Sequence, residues 1–485
     1  MSEPGPRTSS RLRQMSPWLV ATLAAIALYW FSDLVVLRAG VPDPLDDTWE
    51  YGVAARQLLA GHGFRTGVIH PPLWMLRDTA NTVPVLIHGP LAPLIVAPLL
   101  RVLGDRVIDH FAWVSAAFAL LAAVALYHMA ARRFGPDVGA GAALLFTLAP
   151  GTLRAVNHDP SLLLGAALLV LALNLASGGT GSAARAGIAL GLAALARPEM
   201  LSALPAVLLL ARGRGRLAAL LACVACLAPW WVHNLRACGA PWFNLSSYLL
   251  IGYWGARPGL SVIRDFDMTP ARWPSTLAGS LPIVLEKARD FFPHALKRAL
   301  LTPTGATGWL AAIGALMAPR RRALVALLLA AIPIGIMTLA VYDDRYLTPF
   351  LPLWSLAAAL GGRKLASFLP AWGRGPRTWI TLLILMALPT SLPTLRDAAR
   401  EARTFEVRLA FERAALAARP APRSNLMFSD TPDFVAFTTG RPTVWLTRAE
   451  YARLALRGTP GADTPERPAR GDSLETWFHD MEPMR

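Results

Sequence analysis

Charge is what this sequence has least of. Asp, Glu, Lys and Arg make up 16% of its 485 residues, against 54% hydrophobic residues and a mean hydropathy of +0.42. Soluble domains carry about a quarter charged residues, so a soluble multidomain protein is excluded and a polytopic membrane protein is expected. Cysteine is almost missing. Cys223 and Cys226 have C-x-x-C spacing but lie in an apolar run, and Cys238 stands alone, so packing is expected rather than redox or zinc chemistry or a disulfide. No A-x-A-like cleavage site follows the first apolar run, Trp18–Leu37, which therefore reads as a retained helix and not a signal peptide. Acids are outnumbered by bases, 31 to 47, for a net charge of +16. The arginines sit mainly in short links between apolar runs, which is a mark of membrane topology, and nucleic-acid binding is set aside.

What is present is a succession of apolar runs near the roughly 20 residues that cross a bilayer as helix. After Trp18–Leu37 they fall at about Ile108–Ala130, Val138–Gly151, Ser161–Leu175, Ala183–Ala196, Met200–Ala211, Leu217–Val232, Leu300–Ala318, Ala323–Val341, Tyr346–Leu360 and Trp379–Leu395. The reading is an all-α polytopic membrane protein of about eleven transmembrane helices. Residues 1–16 form a polar cytoplasmic tail, 17–395 the transmembrane domain with long outer loops at 39–106 and 233–299, and 396–485 a small outer-face α/β domain. Pro90–Leu103 is too short and too proline-broken to span, so it is expected to lie along the interface. With the N-terminus inside, the inner links carry sixteen basic residues and the short outer links only Arg154, Arg197 and Arg345. That asymmetry puts the first loop and the C-terminal domain on the non-cytoplasmic side.

Ionisable side chains are expensive in a bilayer, so their positions are informative. They collect after alternate spans: Asp46, Asp47 and Glu50 after the first; Asn157, His158 and Asp159 after the third; Arg197 and Glu199 after the fifth; Asp343, Asp344 and Arg345 after the ninth. Singly, each fits a helix cap or a solvated loop, and Asp159-Pro160 is a good N-cap with proline at N1. Four such groups on one side favour a shared polar cavity. A transporter would place them near the midplane on broken helices with internal repeats, and neither is evident.

The stretches DDTWEYGVAARQLLAGHGF, HGPLAPLIVAPLLRVLGD, GLAALARPEMLSALP, APWWVHNLRACGAPWF and DDRYLTPFLPLW, in that order, resemble the GT-C class of membrane glycosyltransferases. The similarity is to the branch of protein O-mannosyltransferases and lipid A aminoarabinose transferases, and it covers most of residues 17–395. The resemblance implies a polyprenyl-phosphate sugar donor and direct displacement with inversion. It also implies a catalytic or acceptor-orienting acid at Asp47, with Asp46 beside it, a second acid at Asp159, and phosphate binding by Arg345 of the DDRY motif. Tyr346, Asp344, His88, Arg197, His158 and Glu50 complete the candidate substrate-binding set. Where the aminoarabinose transferases have an acid and a lysine before proline, this chain has His88-Gly89-Pro90, which removes a fixed positive charge, and His70-Pro71-Pro72-Leu73 competes for the same alignment.

The expected activity is sugar transfer from a polyprenyl-phosphate carrier to an acceptor hydroxyl at the outer face of the inner membrane. The acceptor class, whether lipid, glycan or protein, stays open. No glycine-rich phosphate loop occurs, consistent with a donor that arrives through the bilayer. No cofactor is fixed, although His70, His88, His158 and nearby acids leave a divalent metal open. Two alternatives stand beside the enzyme: a flippase for lipid-linked sugars and a non-catalytic assembly subunit.

Overall fold

The computed structural model describes residues 47–109, 111–253, 260–301, 307–316, 320–341, 343–370, 375–417, 426–429, 431–447 and 475–477. The N-terminal tail, the first expected span, Asp46 and the RAEYARLALRG segment lie outside the described residues.

Among the described residues, every other expected span falls on α-helix, in two cases entered through a 3-10 turn. The helices are α3 (Phe111–Phe134), α4 (Pro136–Leu148), α5 (Pro150–His158), α6 (Pro160–Ala176), α7 (Thr180–Ala196), α8 (Leu204–Leu210), α9 (Arg214–Cys238), α11 (Gly308–Leu316), α12 (Arg320–Leu339), α13 (Leu351–Ala366) and α14 (Pro376–Ala417). Among the described residues, three stretches are long and apolar enough to cross a membrane: α3, α9 and Thr378–Asp397 of α14. The pair α4 and α5 would make a fourth, bent by 57°. Proline explains much of the fragmentation, since it removes a helix hydrogen bond and restricts the residue before it. Pro150 and Pro160 open new helices, and the stretches around Pro198 and Pro349 fold as 3-10 turns, Pro198–Ala203 and Asp344–Phe350, ahead of α8 and α13. The charged segment expected to open the tail continues α14 without a break, for 42 residues in all.

Helices meet through small residues, as membrane helices do where backbones approach closely. A Cβ added to Gly361 of α13 would stand 2.1 Å from the carbonyl oxygen of Leu310 in α11.

The first loop folds onto the bundle. It begins with α1 (Asp47–Leu59), passes through β1 (Arg65–Thr66), β2 (Val68–Ile69) and β3 (Val83–Pro84), and ends in α2 (Leu91–Leu103). α2 is the expected interfacial run: Ala92, Val96 and Leu100 are buried while Leu94, Val102 and Leu103 are exposed. In the second long loop, α10 (Leu281–Leu301) carries Lys287, fully buried and donating from Nζ to the carbonyls of Leu249, Gly252 and Ala340 at 2.9, 2.7 and 2.6 Å. These three neutral acceptors satisfy the ammonium.

The tail supplies β4 (Met427–Ser429), α15 (Pro432–Thr439), β5 (Thr443–Trp445) and β6 (Glu475–Trp477), the strand and helix pattern expected of it up to Trp445. Its sheet is not self-contained. In the order β2-β5-β4-β6 all strands are parallel, and Val68 and Ile69 of the first loop align with Thr443 and Val444. α15 packs on α1, where Trp49 sits edge-on to Phe434 with ring centroids 5.2 Å apart and the Arg56 guanidinium lies 3.7 Å over Phe437. The tail is thereby fixed to the helix that begins at Asp47.

Candidate active site

A cavity of about 760 Å³ opens between α1, the His88 loop, the start of the 3-10 turn at Pro198, the 3-10 turn at Asp344 and the tail. Its volume suits a small organic ligand rather than an ion. Asp47, Glu50, His88, Arg197, Arg345 and Tyr346 all line it, so three of the four ionisable groups expected to share one side meet there, while the group at 157–159 does not line it.

Asp47 and Glu50 lie in the first turn of α1, where the N-terminal end of a helix favours negative charge. Three residues apart, they project from one face. Asp47 stands 3.9 Å from Arg345 Nη1. Arg345 is oriented from behind by Asp343, whose carboxylate accepts from Arg345 Nε at 3.1 Å and from its backbone N–H at 2.9 Å. The guanidinium groups of Arg197 and Arg345 approach the Tyr346 ring to 5.4 and 5.5 Å from its centroid, so the phenol separates two cations directed at one space. Asp344 opens that 3-10 turn.

Glu50 is almost fully buried. One of its oxygens, Oε2, meets His88 Nε2 at 3.2 Å and His70 Nε2 at 3.5 Å. Burial opposes the charge on His88, yet the carboxylates of Asp47 and Glu50 outweigh it and hold the imidazole up at about 9. Burial likewise works against the Glu50 carboxylate, but the two histidines bring it down to about 2. Asp47 is also held low, by His88, Arg345 and Arg197 against the effect of burial. His88 therefore carries a proton at neutral pH, so the positive charge that the sequence lacks at this position is restored by environment.

Asp159 is placed differently from the expectation. It is buried beside the cavity, not on its surface, and both oxygens are engaged: Oδ1 accepts from the Ser161 backbone N–H at 2.8 Å, and Oδ2 from Arg197 Nη1 at 2.5 Å. It is at once the N-cap of α6 and the partner of a site arginine, so the two readings of this residue are compatible. His158 ends α5, adjacent in sequence. Arg197 further bonds Glu199 at 2.5 Å and Ser161 Oγ at 3.1 Å, and Tyr51 Oη lies 3.3 Å from that same Oγ. Arg197→Met would leave the buried Asp159 carboxylate without its cation, which costs about 3–5 kcal/mol in buried pairs. Thermal unfolding is expected to show a large loss of stability, largely restored by adding Asp159→Asn.

Gly89 sets the loop that presents His88. A Cβ there would lie 2.0 Å from the carbonyl oxygen of Leu195 at the end of α7, so Gly89→Ala forces the His88 loop away from Arg197. Weaker ligand binding in this cavity by the alanine variant, with the fold retained by circular dichroism, is the expected result.

Among the described residues no group of three or more His, Cys, Asp or Glu is arranged to hold a metal ion.

Residues 87–233 match the family model described as dolichyl-phosphate-mannose-protein mannosyltransferase. The fold is similar to ArnT from Cupriavidus metallidurans bound to undecaprenyl phosphate, at 13% identity and a TM-score of 0.56, over 95% of this chain and 90% of that one. It is also similar to the Archaeoglobus fulgidus oligosaccharyltransferase tethered with an acceptor peptide, at 14% identity and a TM-score of 0.55, over 88% of this chain and 63% of that one. No curated protein matches by sequence. The family match over residues 87–233 and the similarity of fold both agree with the resemblance to GT-C membrane glycosyltransferases.

Proposed function

We propose that this protein transfers a sugar from a polyprenyl-phosphate carrier to an acceptor hydroxyl, at the outer, periplasmic face of the cell inner membrane. The observation that carries the reading is that the Asp47 carboxylate and three cations, Arg345, Arg197 and protonated His88, line one cavity large enough for a phosphosugar, with Asp47 3.9 Å from Arg345.

Each group then has a task. Arg345 presents its planar fork to the phosphate oxygens, Arg197, whose Nε and Nη1 are held by Glu199 and Asp159, adds its charge and its remaining nitrogen, and His88 adds a further donor. As the bond from the anomeric carbon to the phosphate oxygen breaks, its electron pair passes to that oxygen, and the cations stabilise the growing charge. The acceptor oxygen attacks the anomeric carbon from the opposite face, with inversion, and its proton passes to Asp47. Glu50 holds His88 protonated, and Asp159 and Glu199 hold Arg197 in place. The donor's lipid lies along the apolar helices near α2. The relative bound to undecaprenyl phosphate supports the donor class.

Two results test this. Purified full-length protein in liposomes is expected to move labelled sugar from a polyprenyl-phospho-sugar into a new glycosidic bond. Movement of the carrier between leaflets with no such bond would instead establish a flippase. Donor binding also has a pH signature. The folded state raises His88 from 6.5 to about 9, so its cation, and the stabilisation it brings, is complete below 6.5 and lost as pH rises through about 9. Affinity for undecaprenyl phosphate is expected to fall over that interval, and His88→Gln to remove the dependence.

A further inference from the structure

The cationic wall occupies only part of the cavity. Thr431, Asp433, Trp445 and Thr447 of the tail line another part. The pairing of β2 with β5 brings them there, because β2 runs directly into His70 while β5 ends at Trp445, leaving the two rings 5.3 Å apart at 66°. Arg264 approaches the same indole, 5.7 Å from its centroid.

Three polar atoms at this junction are buried with no hydrogen-bond partner among the described residues: Glu50 Oε1, His70 Nδ1 and Trp445 Nε1. Their chemistry is mixed. Glu50 Oε1 accepts only. His70 Nδ1 accepts in the tautomer whose Nε2–H faces Glu50. The indole N–H donates only. Buried polar groups are normally satisfied, and Glu50, His70 and Trp445 all line the cavity, so an unpaired polar atom on each of the three points to a ligand that pairs with them. A phosphate cannot, since it is repelled by the carboxylate. Neighbouring sugar hydroxyls, which both donate and accept, match all three.

We infer that the first loop and the tail together form a carbohydrate subsite, Glu50–His70–Trp445, which seats a neutral sugar of the acceptor beside Asp47. This rests on the transferase reading and deepens it: the acceptor is a glycan or glycolipid, and Trp445 is a specificity-determining residue supplied by the tail. Hydroxyl-rich chemistry of this kind also belongs to the donor's own sugar, so the test separates the two.

Full-length protein in nanodiscs is titrated with undecaprenyl phosphate, with a polyprenyl-phospho-sugar, and with an array of short neutral oligosaccharides and a Ser/Thr-rich peptide. The expected result is binding of a subset of neutral oligosaccharides, weakened on the order of fivefold to tenfold by Trp445→Phe, which removes one hydrogen bond and keeps a ring, and further by Trp445→Ala. Affinity for both lipid-linked ligands is expected to stay the same in Trp445→Phe. Oligosaccharide binding unchanged by Trp445→Phe, or binding of the peptide alone, would overturn the inference. A Trp445→Phe loss confined to the polyprenyl-phospho-sugar would assign the subsite to the donor and overturn it equally. Failure of wild-type protein to bind undecaprenyl phosphate counts against the transferase reading, whereas the oligosaccharide arm reports on the subsite alone.

Discussion

Asp47→Asn is expected to reduce sugar transfer by about 10²–10⁴-fold, the range that a positioned general base contributes. Asparagine keeps the shape of the side chain but cannot take the acceptor proton, and Asp47 is not a structural support, since its contact with Arg345 is long, at 3.9 Å. A carboxylate held low by its surroundings is by itself a weak base. The cations that lower Asp47 are, however, the ones proposed to bind the donor phosphate. Once His88, Arg345 and Arg197 face that phosphate, their hold on Asp47 relaxes and its basicity returns. The base is therefore strengthened by donor binding, which favours transfer only in the filled site. Single-turnover transfer with bound donor is the measurement. The variant is expected to bind undecaprenyl phosphate at least as well as wild type, because one negative charge has left the cavity.

Arg345→Ala is the second large effect and acts in the opposite way. Loss of this guanidinium removes a donor aimed at the leaving phosphate, and deletion of one such preorganised donor costs about 10²–10³ in rate. Donor affinity is expected to fall as well. Because Arg345 is 42% exposed and its partners Asp343 and Asp47 are themselves partly exposed, the fold survives its removal. Arg345→Lys is expected to recover little, since an ammonium lacks the planar fork. Isothermal binding of undecaprenyl phosphate together with transfer rates separates the affinity loss from the rate loss.

How far the sequence discloses this site follows from which physics leaves a local trace. Asp47, Arg197 and Arg345 were legible because ionisable residues between apolar runs are costly enough to mark function. The helices were legible for the same reason, as apolar runs, although not their breaks into 3-10 turns at Pro198 and Pro349. The spacing of Asp47 and Glu50 signals one helix face, but the sharing of one Glu50 oxygen by His70 and His88 depends on loop folding. His88 appears in sequence as a lost charge; only its proximity to two carboxylates makes it a cation. Asp159 reads correctly as a cap, while its bond to Arg197 joins two links that no local pattern connects. The β2–β5 pairing is harder still. A strand of two residues, Val68–Ile69, carries no periodicity, and its partner lies near the other end of the chain, so the entry of Trp445 into the cavity has no local signature.

The most direct test is product analysis after incubation of purified protein, reconstituted in liposomes, with a polyprenyl-phospho-sugar of known anomeric configuration and a hydroxyl acceptor. The expected products are a new glycosidic bond of inverted configuration and free polyprenyl phosphate in equal amount, both all but abolished by Asp47→Asn. A product of retained configuration, or equal yield from the Asp47→Asn variant, would contradict direct displacement with Asp47 as base.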